Sequence, residues 1–238
     1  MTQISNKIYC DDFLLHVDMP TKLLPNPYHD LPFLVIKNFL SSENCEHICD
    51  AIQESNNACD AKIRKSSDLV LDEALKTDIR KTKIYDLETL YTNVYKSVFL
   101  EHKEEIEAFF SVVLTTSTQI QMLEYTKGSF YKAHSDDSNV LLKESEIVGF
   151  LPVAPQRKVT SVLFLTEHDE TLTTPYSFSG GELVFNYLYD ETQQNVKLSP
   201  QKGDMVLFLS NPFFTHEVLP VKEGYRLTLV QWHDAIVQ

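Results

Sequence analysis

The chain reads as mainly β with flanking α-helices, a sandwich or barrel buttressed by N-terminal helices, and three observations lead there. β-branched and aromatic runs recur at 118–126, 159–166, 181–189, 204–209, 214–219 and 225–233. Gly, Pro, Asn and Asp clusters separate them, and no helical period intervenes. Many short strands without helices between them build a sandwich or barrel rather than an α/β sheet. The helical periods all come earlier, which suits helices laid against a finished β core.

Taken in order, residues 1–31 show no clear period and contain Pro20, Pro25 and Pro27, so they read as an extended N-terminal arm. LVIKNFL (34–40) alternates as a short strand. Ser41 or Ser42 can then cap a helix through about Gln53, with Cys45, Ile48, Cys49 and Ile52 at helical spacing. A second helix is expected over roughly 86–110, its apolar stripe formed by Leu87, Leu90, Tyr91, Val94, Tyr95, Val98 and Phe99. The stretch 137–158 holds Pro152 and Pro155 and few strand signals, and is expected to be an irregular loop acting as a lid. The expected organisation is thus an arm (1–31) and one domain (32–238), with helical support over 41–114 and a β core over 115–233.

Twenty-one basic residues against 34 acidic ones give a formal net charge of -13, which repels polyphosphate, so nucleic acid is a poor substrate. Cys10, Cys45, Cys49 and Cys59 form no CxxC pair and read as reduced core cysteines. The N-terminus lacks a signal-peptide pattern and no apolar run reaches membrane-spanning length, so a cytoplasmic, membrane-free protein is the expectation.

The chemistry concentrates in His134-Ser135-Asp136, His216 and Arg226. In extended chain, residues two apart share a face, so His134 and Asp136 can address one ion while Ser135 points away. An HxD alone is common by chance. His216, in an apolar strand, adds a second imidazole, and two histidines with one carboxylate are the facial arrangement of non-haem Fe(II) oxygenases, although zinc accepts the same donors. Arg226 shares a strand face with Thr228, Val230 and Trp232. A buried guanidinium requires an anion, either an internal carboxylate or a bound one, and its planar fork suits a carboxylate. The competing pair His168 and Glu170 sits in the polar turn EHDETLTTP, with no apolar strand to hold it. Gly180 and Gly181 suit a tight turn and close backbone approach, while Arg157 and Lys158 face either solvent or an acidic guest.

YTKGSFYKAHSDD (125–137), SVLFLTE (161–167), SGGELVF (179–185), LSPQKGDMVLFLSN (198–211), THEVLPV (215–221) and GYRLTLVQW (224–232), with LVIKNFLSSENCEHI (34–48), resemble prolyl 4-hydroxylase-like Fe(II)/2-oxoglutarate dioxygenases, including the PKHD-type hydroxylases, over roughly 32–233. The resemblance implies a double-stranded β-helix, the jelly-roll or cupin-like barrel. It implies Fe(II) held by His134, Asp136 and His216, with 2-oxoglutarate and O2 as cosubstrates and ascorbate as a candidate reductant. Arg226 would bind the distal carboxylate of 2-oxoglutarate, assisted by Tyr125 and Thr228. Tyr131 would face the open site; Tyr131 and Trp232 are candidates for the substrate side or for support of the site, the simplest place for Trp232 being the core. The implied reaction couples oxidative decarboxylation of 2-oxoglutarate to hydroxylation of an unactivated C–H bond. An intact Asp136 argues against the halogenating relatives, in which that position is vacated. Arginine at 226 where the collagen-type branch carries lysine, and the long 137–158 segment, both weaken a collagen-like substrate. The expected substrate is a prolyl residue in a protein or peptide, the alternatives being a free amino acid or small peptide-derived natural product, or a metal-binding barrel without turnover.

Overall fold

A computed structural model describes residues 1–17, 19, 23–54, 59–60, 79–144 and 146–237, with Glu54, Cys59 and Asp60 as backbone only. The expectations for Pro20, for the side chain of Cys59 and for helical support at 55–58 and 61–78 lie outside the described residues. Cys10, Cys45 and Cys49 are free and buried. No helix among the described residues is long and apolar enough to cross a membrane.

Two antiparallel sheets carry the fold. The larger runs Leu34–Ile36, Met205–Leu209, Val159–Phe164, Arg226–Val237, Gln121–Tyr125, Lys83–Asp86, Cys59–Asp60, with Val112–Ser117 pairing the C-terminal half of Arg226–Val237. The smaller runs Thr2–Gln3, Tyr9–Cys10, Leu183–Tyr189, His216–Val218, Phe130–His134, Arg80–Lys81. From residue 121 onward the main strands alternate between the sheets: Gln121–Tyr125 large, Phe130–His134 small, Val159–Phe164 large, Leu183–Tyr189 small, Met205–Leu209 large, His216–Val218 small, Arg226–Val237 large. This alternation is the double-stranded β-helix. The two sheets face one another without joining into one hydrogen-bonded cylinder among the described residues.

The core lies between the sheets, where Phe185 of the small sheet packs edge-on to Phe208 of the large one at 5.2 Å. Every residue of Val159–Phe164 and Met205–Leu209 is buried. These strands are covered on both faces, which is why Met205–Leu209 runs apolar without alternating. Helix α1 (Ser42–Glu54) and helix α2 (Thr89–Phe110) provide the outer cover. Ser41 caps α1 through its Oγ, which accepts from Asn44 N at 3.3 Å. From α2, Tyr95 meets Ser161 through their hydroxyls at 3.0 Å and Phe99 stacks on His233 at 4.6 Å. Leu90, expected on the buried stripe, is 65% exposed, because it sits in the first turn of the helix.

Three local expectations are corrected. The strand at 34–40 ends at Ile36, because Asn38 turns the chain at φ 52 and Asp204 accepts from its N–H at 3.2 Å. The stretch 137–158 is no irregular loop: Ser138–Lys143 and Glu146–Pro152 pair as an antiparallel ribbon, Val140 opposite Phe150 and Leu141 opposite Gly149. Its prolines fall at the end of the second strand and beyond it, so they never remove a ladder bond, and its apolar residues lie on both faces, which hides the period-two signal. Within the N-terminal arm, Tyr9–Cys10 adds to the edge of Leu183–Tyr189 through two residue pairs.

Candidate metal centre and cosubstrate pocket

His134 is the last residue of its strand and His216 the first of the next, directly paired across the small sheet. Their ring centroids are 4.3 Å apart. Asp136 does not continue the strand but lies in the bend after it, correcting the expectation of an extended HxD segment. The bend is held from outside, since the carbonyl of Ser210 accepts from Asp136 N and Asp137 N, both at 3.1 Å, and from Ser135 Oγ at 3.0 Å. His134 Nε2 then stands 3.8 Å from Asp136 Oδ1, and one donor atom from each of His134, Asp136 and His216 lies within 4.8 Å of the others.

The tautomers follow from the backbone. His134 Nδ1 lies 2.9 Å from the carbonyl of Lys132, and His216 Nδ1 lies 2.9 Å from that of Phe214. Each Nδ1 therefore carries the proton and donates it to a carbonyl two residues earlier, leaving each Nε2 with its lone pair free. Burial, and then the neighbouring His216, push the His134 ring down to about 3, so it is a neutral ligand at physiological pH. Burial pushes the Asp136 carboxyl up, but His216, His134, the Thr160 hydroxyl and Arg157 together outweigh it and hold it below the usual carboxylate range. Next door, burial pushes Asp137 up to about 6.

Arg226 is 1% exposed and sits opposite Tyr125 in the large sheet. Its guanidinium carbon lies 5.0 Å from both the Tyr125 and the Phe164 ring centroids. Burial pulls its pKa down to about 10, with Tyr125 opposing. Among the described residues no carboxylate pairs with it, and its buried Nε and the Thr228 hydroxyl two residues on find no hydrogen-bond partner. Among the described residues, the internal-carboxylate alternative is thereby removed. Gly181, at φ +64, keeps the space beside the guanidinium clear, since a Cβ there would stand 3.3 Å from Arg226 Cδ. A cationic fork, an orphan hydroxyl and a backbone cleared of side chain together fit a bound carboxylate such as that of 2-oxoglutarate.

Tyr131 stacks on His134 at 3.6 Å, with Arg80 over its ring at 4.6 Å. Trp232 is half-buried and carries Arg157 at 3.9 Å on its face, while Arg157 Nη1 donates to the Asp136 carbonyl at 3.1 Å. Trp232 therefore supports the metal ligand's main chain through Arg157. Three participants were invisible in the sequence, Thr160 and Ser210 beneath Asp136 and Arg80 over Tyr131, whereas Arg157, expected to face solvent or an acidic guest, instead lies on Trp232 and donates to the Asp136 carbonyl. Strand alternation places Thr160 on the face of Val162, but nothing local connects it with residue 136.

Residues 120–234 match the model of the 2OG-Fe(II) oxygenase superfamily. The matched stretch carries His134, Asp136, His216 and Arg226. The chain is 25% identical over 215 residues to prolyl 4-hydroxylase 1 of Arabidopsis thaliana, covering 84% of this chain and 67% of that protein. Among solved structures it is similar to a prolyl hydroxylase of Trichoplax adhaerens in complex with a hypoxia inducible factor peptide fragment, at TM-score 0.58 and 19% identity over 85% of this chain and 83% of that one. It is also similar to a Pseudomonas putida prolyl-4-hydroxylase, at TM-score 0.54 and 19% identity over 85% and 91% of the two chains. The oxygenase is thus prolyl 4-hydroxylase-like, a 2-oxoglutarate-dependent dioxygenase whose cofactor is Fe(II) and whose cosubstrates are 2-oxoglutarate and O2.

Proposed function

We propose that this dioxygenase hydroxylates a prolyl residue in a protein or peptide, with His134, Asp136 and His216 holding Fe(II) and Arg226 receiving the distal carboxylate of 2-oxoglutarate. The observation that carries the cosubstrate assignment is the buried guanidinium of Arg226, left without a carboxylate partner among the described residues, beside the orphan hydroxyl of Thr228. When bound, the iron supplies activation of oxygen at the expense of 2-oxoglutarate, an oxidation no side chain can perform. The chain's own part is positional. The carbonyls of Lys132 and Phe214 orient the two imidazoles, Ser210 and Arg157 hold the main chain of Asp136, and the Phe185, Phe208 and Phe214 cluster behind His216 excludes water.

The prolyl assignment is supported by the relative named a prolyl 4-hydroxylase and by the similar fold that was solved with a peptide. The ribbon rooted at Asp137 supports a polypeptide over a free amino acid, since it exposes Val140, Leu141, Leu142, Val148 and Leu151 beside the site. Anaerobic addition of Fe(II) and 2-oxoglutarate should give a visible charge-transfer band. Aerobic incubation with proline-containing peptides should then release succinate and add one oxygen to proline, detected by fragment mass spectrometry. Succinate release that free proline stimulates and no peptide does would overturn the substrate class.

A further inference from the structure

Asp136 is the only one of the three donors in the metal cluster that does not sit in a strand, and its two carboxylate oxygens have different surroundings. Oδ1 faces His134 Nε2 at 3.8 Å, inside the cluster. Oδ2 accepts from Thr160 Oγ1 at 2.7 Å, and Thr160 Oγ1 lies 2.8 Å from Ser210 Oγ. Thr160 and Ser210 are 1% and 2% exposed, so this chain of hydroxyls is screened from water. Its direction can be worked out. A carboxylate that ligates a metal is deprotonated and only accepts, so Thr160 spends its single proton on Oδ2, and Ser210 must donate to Thr160. The same Ser210 holds the backbone of 135–137 through its carbonyl.

Thr160 itself is fixed by the most constrained strand of the molecule, paired with Phe208 on one side and Trp232 on the other. A carboxylate free to rotate about χ2 can present one oxygen or both to an ion. With Oδ2 tied at 2.7 Å to a buried hydroxyl on a rigid strand, only Oδ1 can turn toward the histidines. We propose that Thr160, relayed by Ser210, is the positioning residue that makes Asp136 a one-oxygen ligand, and so sets both metal affinity and the coordination space left for the bidentate cosubstrate. The inference rests on His134, Asp136 and His216 being the metal ligands.

The test uses the whole chain and does not depend on turnover. Mn(II) affinity is measured by calorimetry without cosubstrate, and the Fe(II)–2-oxoglutarate absorption band is then recorded anaerobically. Thr160→Val should weaken Mn(II) binding by ~10–100-fold, the usual effect of losing a contact behind a ligand. It should also shift or weaken the band. Thr160→Ser, which retains the hydroxyl, should recover most of both. Ser210→Ala, one step removed, should weaken Mn(II) binding in the same direction but less, and serves in place of Thr160→Val where that variant is insoluble. Wild-type affinity in Thr160→Val, or in Ser210→Ala where it stands in, overturns the proposal, as does a Thr160→Ser variant as impaired as Thr160→Val. A wild-type protein that binds neither Mn(II) nor Fe(II) overturns the ligand set itself and the proposal with it, which separates the two failures.

Discussion

Two histidine–carboxylate clusters lie among the described residues, and they are unlike in what surrounds them. His134, Asp136 and His216 form one, and His168, Glu170 and Glu182 the other, each with its potential donor atoms within 4.8 Å. In the first, both imidazole protons are committed to carbonyls and the spare carboxylate oxygen is tied to Thr160. In the second, His168 Nε2 stands 3.4 Å from Glu170 and 3.8 Å from Glu182, while Lys222 reaches Glu170 at 3.5 Å. Glu170 is 55% exposed and sits in a turn closed by Asp169, which accepts from Thr171 and Thr173. There the charges already answer one another. Proximity of ligand-type side chains is therefore cheap, and what marks the first cluster is that its neighbours settle each proton and each oxygen in advance.

The widest gap between the clusters should appear on deletion. Asp136→Ala or His134→Ala should lower 2-oxoglutarate turnover by more than the ~10–100-fold typical of an outer contact. Succinate assays decide it, and retained turnover would erase the distinction.

Arg226→Met should show opposite signs in two measurements. Loss of charge-assisted bonds to the cosubstrate, about 1.5–3 kcal/mol, should weaken 2-oxoglutarate binding by roughly 10–150-fold. Removal of a buried, unpaired cation should at the same time leave the thermal midpoint of the cosubstrate-free protein unchanged or raised. A lowered midpoint would mean that Arg226 is a structural cation after all.

His233 separates burial from ligand geometry. It is fully buried, bonded to Ser117 and Ser161, and pushed by burial to about 3 from 6.5. The folded state thus disfavours the proton that the unfolded chain takes up near 6.5. Its contribution to stability is complete above that pH and is lost as pH falls toward 3, at up to ~1.4 kcal/mol per unit. Denaturant titrations at pH 7, 6 and 5 should show the decline, and His233→Asn should flatten it.

The smallest effect belongs to the second cluster. His168→Ala with Glu182→Gln should leave Mn(II) affinity and turnover within about twofold of wild type, as for ordinary surface changes. A loss comparable to that of the first cluster would show that it, too, binds metal.

Much of this was legible in the sequence where periodicity and composition speak for themselves. Strand runs such as MVLFL at 205–209 stand out because burial on both faces leaves an unbroken apolar string. His134, Asp136, His216 and Arg226 stood out because their types are costly to bury without a purpose. The ribbon at 138–152 was hidden, since Val140, Leu141 and Leu142 are consecutive, as are Ile147 and Val148, and apolar side chains on both faces carry no alternation. Thr160 and Ser210 were hidden for a different reason. Their meaning comes from the bend at 135–137 meeting one strand of the large sheet and the residue just past the end of another, 24 and 75 residues downstream, and a hydroxyl looks the same in sequence whether it faces a carboxylate or a backbone carbonyl. The trio completed by Glu182 was likewise invisible, because it is assembled by the pairing of Glu167–His168 with Ser177–Gly180.

The ribbon closes on itself at its base, where Val153 N and Ala154 N both donate to the Asp137 carbonyl at 2.9 Å. Its two ends are thereby sealed immediately beside the carboxylate ligand, and the strands beyond the seal form no ladder with either main sheet. In evolutionary terms this makes the ribbon an interchangeable part, since a segment tethered in this way can change length and side chains while the ligand set beneath stays in register. For engineering, residues 140–151 are the place where an inserted segment would leave the strands that carry the ligand set untouched.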